Sequence, residues 1–163
     1  MKKKVSISLA KIKDANLLLK IHNASVKNGY FYSKNLVDYK EHIVWLKKKL
    51  KSNSKIYIGK NSAMNKFGYV RFDEVQRNIF EVSLGNLPGF YGKGLGSLML
   101  EKSIKKFKKN NKTKKIISVS KKNNIRSVKC FLKNDFVKVK FDKKKHLTCN
   151  KINTKKEYYF ELK

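Results

Sequence analysis

Three glycines spaced two apart, Gly92, Gly94 and Gly96, separate an alternating stretch that closes on Gly85 from an amphipathic stretch that runs to Phe107. A backbone without Cβ atoms at such places can turn tightly and bring its N–H groups against a ligand. The first turn of the helix that follows adds unpaired N–H donors and the positive end of the helix dipole. The pattern therefore predicts a strand, a turn and a helix arranged to receive an anion, with a diphosphate as a natural occupant. Two well-known glycine loops do not match. Counting from Gly89, the second glycine of a Walker loop falls on Gly94, but Leu95 and Gly96 follow where Lys and Ser or Thr are needed. The dinucleotide fingerprint fails as well, because the glycines keep a spacing of two throughout and no early strand carries the turn.

Periodicity places this unit in a longer series. In "KVSISLAKI", Val5, Ile7 and Leu9 alternate with Ser6 and Ser8, which predicts a half-buried strand. "KDANLLLKIHNASV" carries Leu17, Leu18 and Ile21 on one helical face, with Asp14 available at its amino end. Beyond Gly29 a second helix brings Ile43, Leu46 and Leu50 together. "SKIYIGK", "FGYVRFDE" and "RNIFEVSLG" then read as three strands, close enough in sequence to pair as hairpins. The helix after the glycine turn presents Gly96, Leu100, Ser103 and Phe107, widened by Met99 and Ile104. "KKIISVS" is a further strand, and "NNIRSVKCFLKNDF" a short helix starting at Asn123 or Asn124 and burying Val128, Phe131 and Leu132. Two strands, "FVKVKFD" and "KEYYFELK", close the chain, with "KKKHLTCNKINTKK" between them as an exposed loop. Strand, two helices, three strands, helix, strand, helix, two strands make an α/β unit of mixed strand direction, with too few crossover helices for a doubly wound fold.

The 163 residues suffice for one domain, expected to span 1–163, and 40% hydrophobic with 12% aromatic residues excludes a disordered chain. Charge is the outlier: 41 Lys and Arg against 11 Asp and Glu give +30. Such a field concentrates anions of every kind, nucleic acid included. Arg71, Arg77 and Arg126 are the only arginines, however, whereas fixed recognition of phosphates or bases favours the guanidinium fork. Cys130 and Cys149 lack the spacing of a metal knuckle or a disulfide framework, and no metal is implied. No stretch approaches the roughly 20 apolar residues of a membrane span, and the basic start is too interrupted for a secretory core. A reducing, cytoplasmic setting without membrane association is expected.

Tyr91-Gly92-Lys93-Gly94-Leu95-Gly96 resembles motif A of the GNAT family of N-acetyltransferases, Q/R-x-x-G-x-G/A, at the start of their central helix. Tyr91 stands where that family has Gln or Arg. Downstream, "NIRSVKCFLKNDF" is similar to the family pattern N-x-x-[AS]-x-x-x-[YF]-x-x-x-G-F, with Asn124, Ser127, Phe131 and Phe136 in register and Asp135 in the glycine's place. The resemblance covers roughly residues 5–142. It implies the GNAT fold, a central, mixed, strongly twisted sheet flanked by helices, and acetyl-CoA as cofactor. It further implies that Leu84 and the segment Tyr91 to Gly96 hold the cofactor with Asn124, Ser127 and Phe131, the loop amides taking its diphosphate.

Acetyl transfer to an amine requires a neutral nucleophile, a polarised thioester and a path for two protons. Many relatives take the amine's proton with a glutamate on the fourth strand, and Glu81 resembles that residue. A carboxylate at its ordinary pKa near 4.3 is a poor base for an alkylammonium near 10, so a raised pKa or a water relay is required. The family's usual general acid is a tyrosine where this chain has Phe131, which carries no proton; the adjacent Cys130 is read as an inert, partly buried residue pointing to another side. "KEHIVWLKKKL" with "FGYVRFD" looks like acetyltransferases of nucleotide-linked amino sugars, such as the 4-amino precursors of pseudaminic acid, in which an H-x-x-W pattern matching His42 and Trp45 recurs near the acceptor. Tyr30, Tyr32 and Tyr69 offer faces to a base or sugar, and Arg71 a fork for a diphosphate. The leading expectation is acetylation of a primary amine on a nucleotide-linked amino sugar. Two alternatives stay open: a protein or ribosomal-protein N-acetyltransferase, and a non-catalytic basic module binding nucleic acid.

Overall fold

The computed structural model of the chain describes residues 4–31 and 34–163. The elements follow the predicted order: β1 (Ser6–Leu9), α1 (Ala15–Lys27), α2 (Tyr39–Lys51), β2 (Lys55–Lys60), β3 (Lys66–Gln76), β4 (Ile79–Asn86), α3 (Leu95–Asn110), β5 (Lys115–Lys121), α4 (Ile125–Lys133), β6 (Phe136–Val139) and β7 (Glu157–Leu162). All seven strands share one sheet in the order β1-β2-β3-β4-β5-β7-β6. Its pairs are antiparallel apart from β4 with β5, which run parallel. The two short connections that join β2, β3 and β4 give the antiparallel meander expected of strands without a crossover helix between them.

α3 packs on the sheet through Leu95, Met99, Leu100, Ser103, Ile104 and Phe107. Phe107 stacks on Phe72 of β3, with ring centroids 4.1 Å apart and planes 6° apart, and meets the edge of Phe80. Phe131 of α4 lies between Phe136 and Phe160, extending the aromatic core under the second half of the sheet. Burying such rings is the main drive for the fold, each worth roughly 2–3 kcal/mol relative to exposure.

Two helix faces are rotated from expectation. Leu50 of α2 is 39% exposed, because His42, Leu46 and Lys49 form the inward face and Lys49 ends that stripe on a buried carboxylate. Leu132 is 46% exposed, since the single buried face of α4 is occupied by Val128 and Phe131. Asp14 does not cap α1. Its carboxylate accepts from the Lys11 amide and from Lys66 Nζ, tying the start of the helix to β3. α2 has the fuller cap: Asp38 accepts from the Glu41 amide at 2.8 Å, and Glu41 reaches back to the Asp38 amide. Among the described residues no helix is long and apolar enough to cross a membrane.

Candidate active site

β4 and β5 pair only from Ile79 with Lys115 to Glu81 with Ile117, and then part. From Val82 to Asn86, β4 keeps β3 on one side and has a free edge on the other. β5 is likewise held only by β7 beyond Ile117. The gap between the two free edges is a cavity of about 430 Å³, walled by Ser83, Leu84 and Asn86 on one side and by Val119, Ser120 and Lys121 on the other. Ser83 Oγ and Asn86 Oδ1 are buried without a partner.

At one end of this cavity lies the glycine turn. Gly92 and Gly94 take φ of 71° and 73°, the left-handed region that costs a residue bearing Cβ about 1–2 kcal/mol. Gly94 is the N-cap of α3 and supplies no side-chain cap. The amides of Gly92, Gly94, Leu95, Gly96 and Ser97 donate to no described residue, so they form a row of free donors at a helix start. A Cβ on Gly92 would meet nothing within 4 Å, whereas one on Gly96 would lie 2.8 Å from Asn86 Nδ2. Gly96 lines the cavity, and its lack of a Cβ also lets α3 close on the end of β4. The Leu95 side chain is buried in the core and that of Lys93 lies 5.6 Å from the Phe90 ring; neither residue lines the cavity.

α4 forms the facing wall. Asn124, its N-cap, accepts from the Ser127 amide at 3.3 Å, and Asn124, Ser127 and Phe131 all line the cavity. Asp135 has φ of 63°, which explains why glycine suits that place in the motif. Cys130 lines the cavity too, contrary to the direction read from the sequence; burial pushes its thiol up to about 12. Arg126, not singled out from the sequence, sits 4.3 Å from the Tyr91 ring centroid and 5.5 Å from that of Tyr30.

Glu81 marks the other end, at the fork itself. Its Oε2 accepts the Cys149 amide at 2.6 Å, from the loop between β6 and β7. Burial raises the Glu81 pKa, with the charge of Asp73 adding to it and the Cys149 donor and Arg71 opposing. The raised pKa that the chemistry required is thus present in direction. The Cys149 thiol is itself pushed up to about 12 by burial and by Glu81. Cys149 and Asn150 line the cavity, as do Tyr69 and Arg71, and Tyr30 lines it beside Arg126. Arg71 donates from Nε to Asp73 Oδ2 at 2.6 Å and lies 5.4 Å from the Trp45 ring centroid. Asp73 also accepts from Lys49 Nζ and Ser54 Oγ, each at 2.7 Å.

His42 and Trp45 do not line the cavity. His42 is 5% exposed within α2, its ring 5.2 Å from that of Trp45; burial and the neighbouring His22 keep it below the ordinary histidine pKa. Trp45 meets the site through Arg71. The H-x-x-W spacing thus serves the packing of α2. Tyr32 lies outside the described residues. The "KKKHLTCNKINTKK" loop, which carried no periodic signal, proves to be part of the site through Cys149 and Asn150.

The cleft fits acetyl-CoA. Free amides in the cradle around Gly92 suit a diphosphate, and the unpaired edge of β4 with its orphaned Ser83 and Asn86 groups suits the amide-bearing arm leading to Glu81. No curated protein sequence matches the chain, but solved structures do. An acetyltransferase-like protein from Salmonella typhimurium, yncA, determined with its cofactor acetyl-CoA, superposes with a TM-score of 0.77 at 16% identity over 97% of this chain and 92% of that one. A ribosomal-protein-alanine N-acetyltransferase from Brucella melitensis gives 0.78 at 18% identity, covering 96% and 98%. A chimeric spermidine N-acetyltransferase based on that of Vibrio cholerae gives 0.77 at 14% identity, covering 97% and 94%. The family model for acetyltransferases of the GNAT type matches residues 25–136, most of the chain and both of its cofactor-facing motifs. The chain accordingly belongs to the GNAT family and is an acetyl-CoA-dependent acetyltransferase.

Proposed function

We propose that the chain acetylates a primary amine on a compact anionic molecule, with a nucleotide-linked amino sugar as the acceptor class, and that Glu81 is its general base. The observation that carries this reading is the Glu81 carboxylate at the fork of β4 and β5, raised in pKa by burial and steadied by the Cys149 amide.

Bound acetyl-CoA supplies the thioester carbonyl that the amine attacks. Glu81 Oε accepts the ammonium proton, directly or through one water, which frees the nitrogen lone pair. The Cys149 amide keeps the carboxylate in one orientation and shields it from bulk solvent. Phe131 brings no hydroxyl, so the proton for the departing sulfur comes from water or from a cavity hydroxyl such as that of Ser127.

Charge favours an anionic acceptor. A field of +30 repels polyamines and basic peptides and draws in a nucleoside diphosphate. Tyr30 and Tyr69 offer ring faces, and Arg71 keeps its terminal nitrogens beyond the Nε bond to Asp73. The Brucella relative acts on a ribosomal-protein alanine, which keeps a peptide amine as the competing acceptor; the loop carrying Cys149 and Asn150 across Glu81 argues for a pocket over a peptide groove. The free amides and the forked cleft give a purely nucleic-acid-binding module no use for them.

The test is release of coenzyme A thiol with a panel of nucleotide-linked amino sugars, spermidine and basic peptides. Turnover with an amino-sugar nucleotide well above the others is expected. Faster turnover of a peptide or a polyamine would overturn the acceptor assignment, and an undiminished rate in Glu81→Gln would overturn the base.

A further inference from the structure

β3 and β4 bring two carboxylates to one place. Asp73 stands directly across from Glu81 in the antiparallel ladder, so the two side chains leave the same face of the sheet with Cβ atoms about 4.5–5.5 Å apart. Arg71, two residues earlier on β3, shares that face, and a side chain of its length reaches the diagonal neighbour across the ladder as readily as Asp73 on its own strand. One guanidinium thus lies between two carboxylates. Asp73 holds it: Arg71 Nε donates to Asp73 Oδ2 at 2.6 Å, while Lys49 Nζ from α2 and Ser54 Oγ occupy Oδ1, each at 2.7 Å. Those two bonds leave Oδ2 to Arg71. Among the described residues Glu81 has no ion-pair partner, and its Oε2 accepts instead from the Cys149 amide.

That division matters for a base. A carboxylate beside a guanidinium has its pKa lowered by about 1–3 units, which weakens its hold on an ammonium proton and sets a competing cation where the amine must come. The other titratable groups that bear on Glu81 carry no positive charge: the Cys149 thiol on the loop and the Tyr159 phenol on β7, while its neighbour on β5 is Ile117. Around Arg71 stand Tyr69 and His22, both of which burial keeps neutral. Arg71 is therefore the cation to be kept off Glu81, and the Asp73 charge, acting across the ladder, opposes its effect. We propose that Asp73 is a positioning residue for the transfer step, holding the Arg71 guanidinium away from Glu81 and leaving that carboxylate unpaired for the acceptor amine. Lys49 and Ser54 serve by fixing Asp73 in place. The inference rests on the reading of Glu81 as the base and does not depend on which amine is acetylated.

The carboxyl carbon of Glu81, identified by the loss of its signal in Glu81→Gln, is titrated by NMR in the resting protein, alongside the pH dependence of kcat/KM. Asp73→Asn should lower the carboxyl midpoint by about one unit and carry the rate limb down with it. Removing the cation as well, in Asp73→Asn with Arg71→Gln, should return the carboxyl midpoint to within about half a unit of its original value, a rescue that a merely structural role of Asp73 would not give. Lys49→Gln, at a side chain 29% exposed, leaves Arg71 on Asp73 and should raise the midpoint by about half a unit; it decides the matter if Asp73→Asn does not fold. A carboxyl midpoint unmoved by Asp73→Asn, one that stays low in the double variant, or one that Lys49→Gln fails to raise would overturn the proposal. Rates that ignore a carboxyl midpoint shifting as expected would remove Glu81 as the base, and Asp73's part in the transfer with it.

Discussion

Replacing Asp73 by Asn removes one negative charge and changes almost no volume, at a carboxylate that is 7% exposed and holds three donors. Lys49, 29% exposed, can turn its ammonium to water when the charge is gone. Arg71 cannot do so as readily: it is 19% exposed and packed against Trp45, and the new amide leaves it a neutral partner with one oxygen to share among the three donors. Removing one partner of such a pair costs about 3–5 kcal/mol in a dry interior, and the exposure of Lys49 sets the expectation at the low end, about 3 kcal/mol. For a chain of this length that is a fall in Tm of roughly 6–12 °C. The pH dependence provides the sharper check. Burial pushes the Asp73 pKa up, but Arg71, Lys49 and Ser54 outweigh it and the net shift is down. A carboxylate depressed on folding contributes stability above its unfolded value, near 3.9, and loses that contribution as pH falls through the lower folded value. Thermal melts should therefore show the full deficit of Asp73→Asn at pH 6–7 and a deficit that shrinks below about pH 4. A shift under about 2 °C at neutral pH, or one that stays constant into acid, would refute the reasoning.

Glu81→Gln should lower turnover at pH 7 by about 10²–10⁴-fold while calorimetry shows acetyl-CoA bound as before. Because a base works deprotonated and the Glu81 pKa is raised, the rate of the unaltered enzyme should climb with pH through a midpoint above the ordinary carboxylate range, and this limb should vanish in the variant. The two glycine variants should separate cleanly. Gly94→Ala, at φ of 73° beside the free amides, should weaken coenzyme A binding in calorimetry, whereas Gly96→Ala, with its methyl 2.8 Å from Asn86 Nδ2, should show mainly as a loss of about 1–3 kcal/mol in denaturant melts.

Local signals carried most of the fold. The alternation around Phe80 and Val82, the stripe from Leu100 to Phe107 and the glycine turn each depend on neighbours within a few residues, and each came out as expected. The place of Glu81 on β4 was legible for the same reason, since it stands in a short strand before the turn. Helix faces were less so. His42, Leu46 and Lys49 share α2's inner side because Asp73, distant in sequence, gives Lys49 something to bond, and no window around the helix contains that fact. Cys149 was invisible from the sequence because its role arises when a polar loop folds back across β4, sixty-eight residues from Glu81. Arg126 was hidden in a chain of 41 Lys and Arg, where one more cation carries no signal until its rings are seen.

The brief parallel splice between β4 and β5 has a mechanical meaning. Three residue pairs are all the ladder that joins one half of the sheet to the other. Coenzyme held between the diverging edges would act as mortar in an open seam, its arm bonding to backbone groups that the polypeptide leaves unpaired. Affinity for the coenzyme would then show as cohesion of the two halves, a bound form more stable than the empty one by mass action.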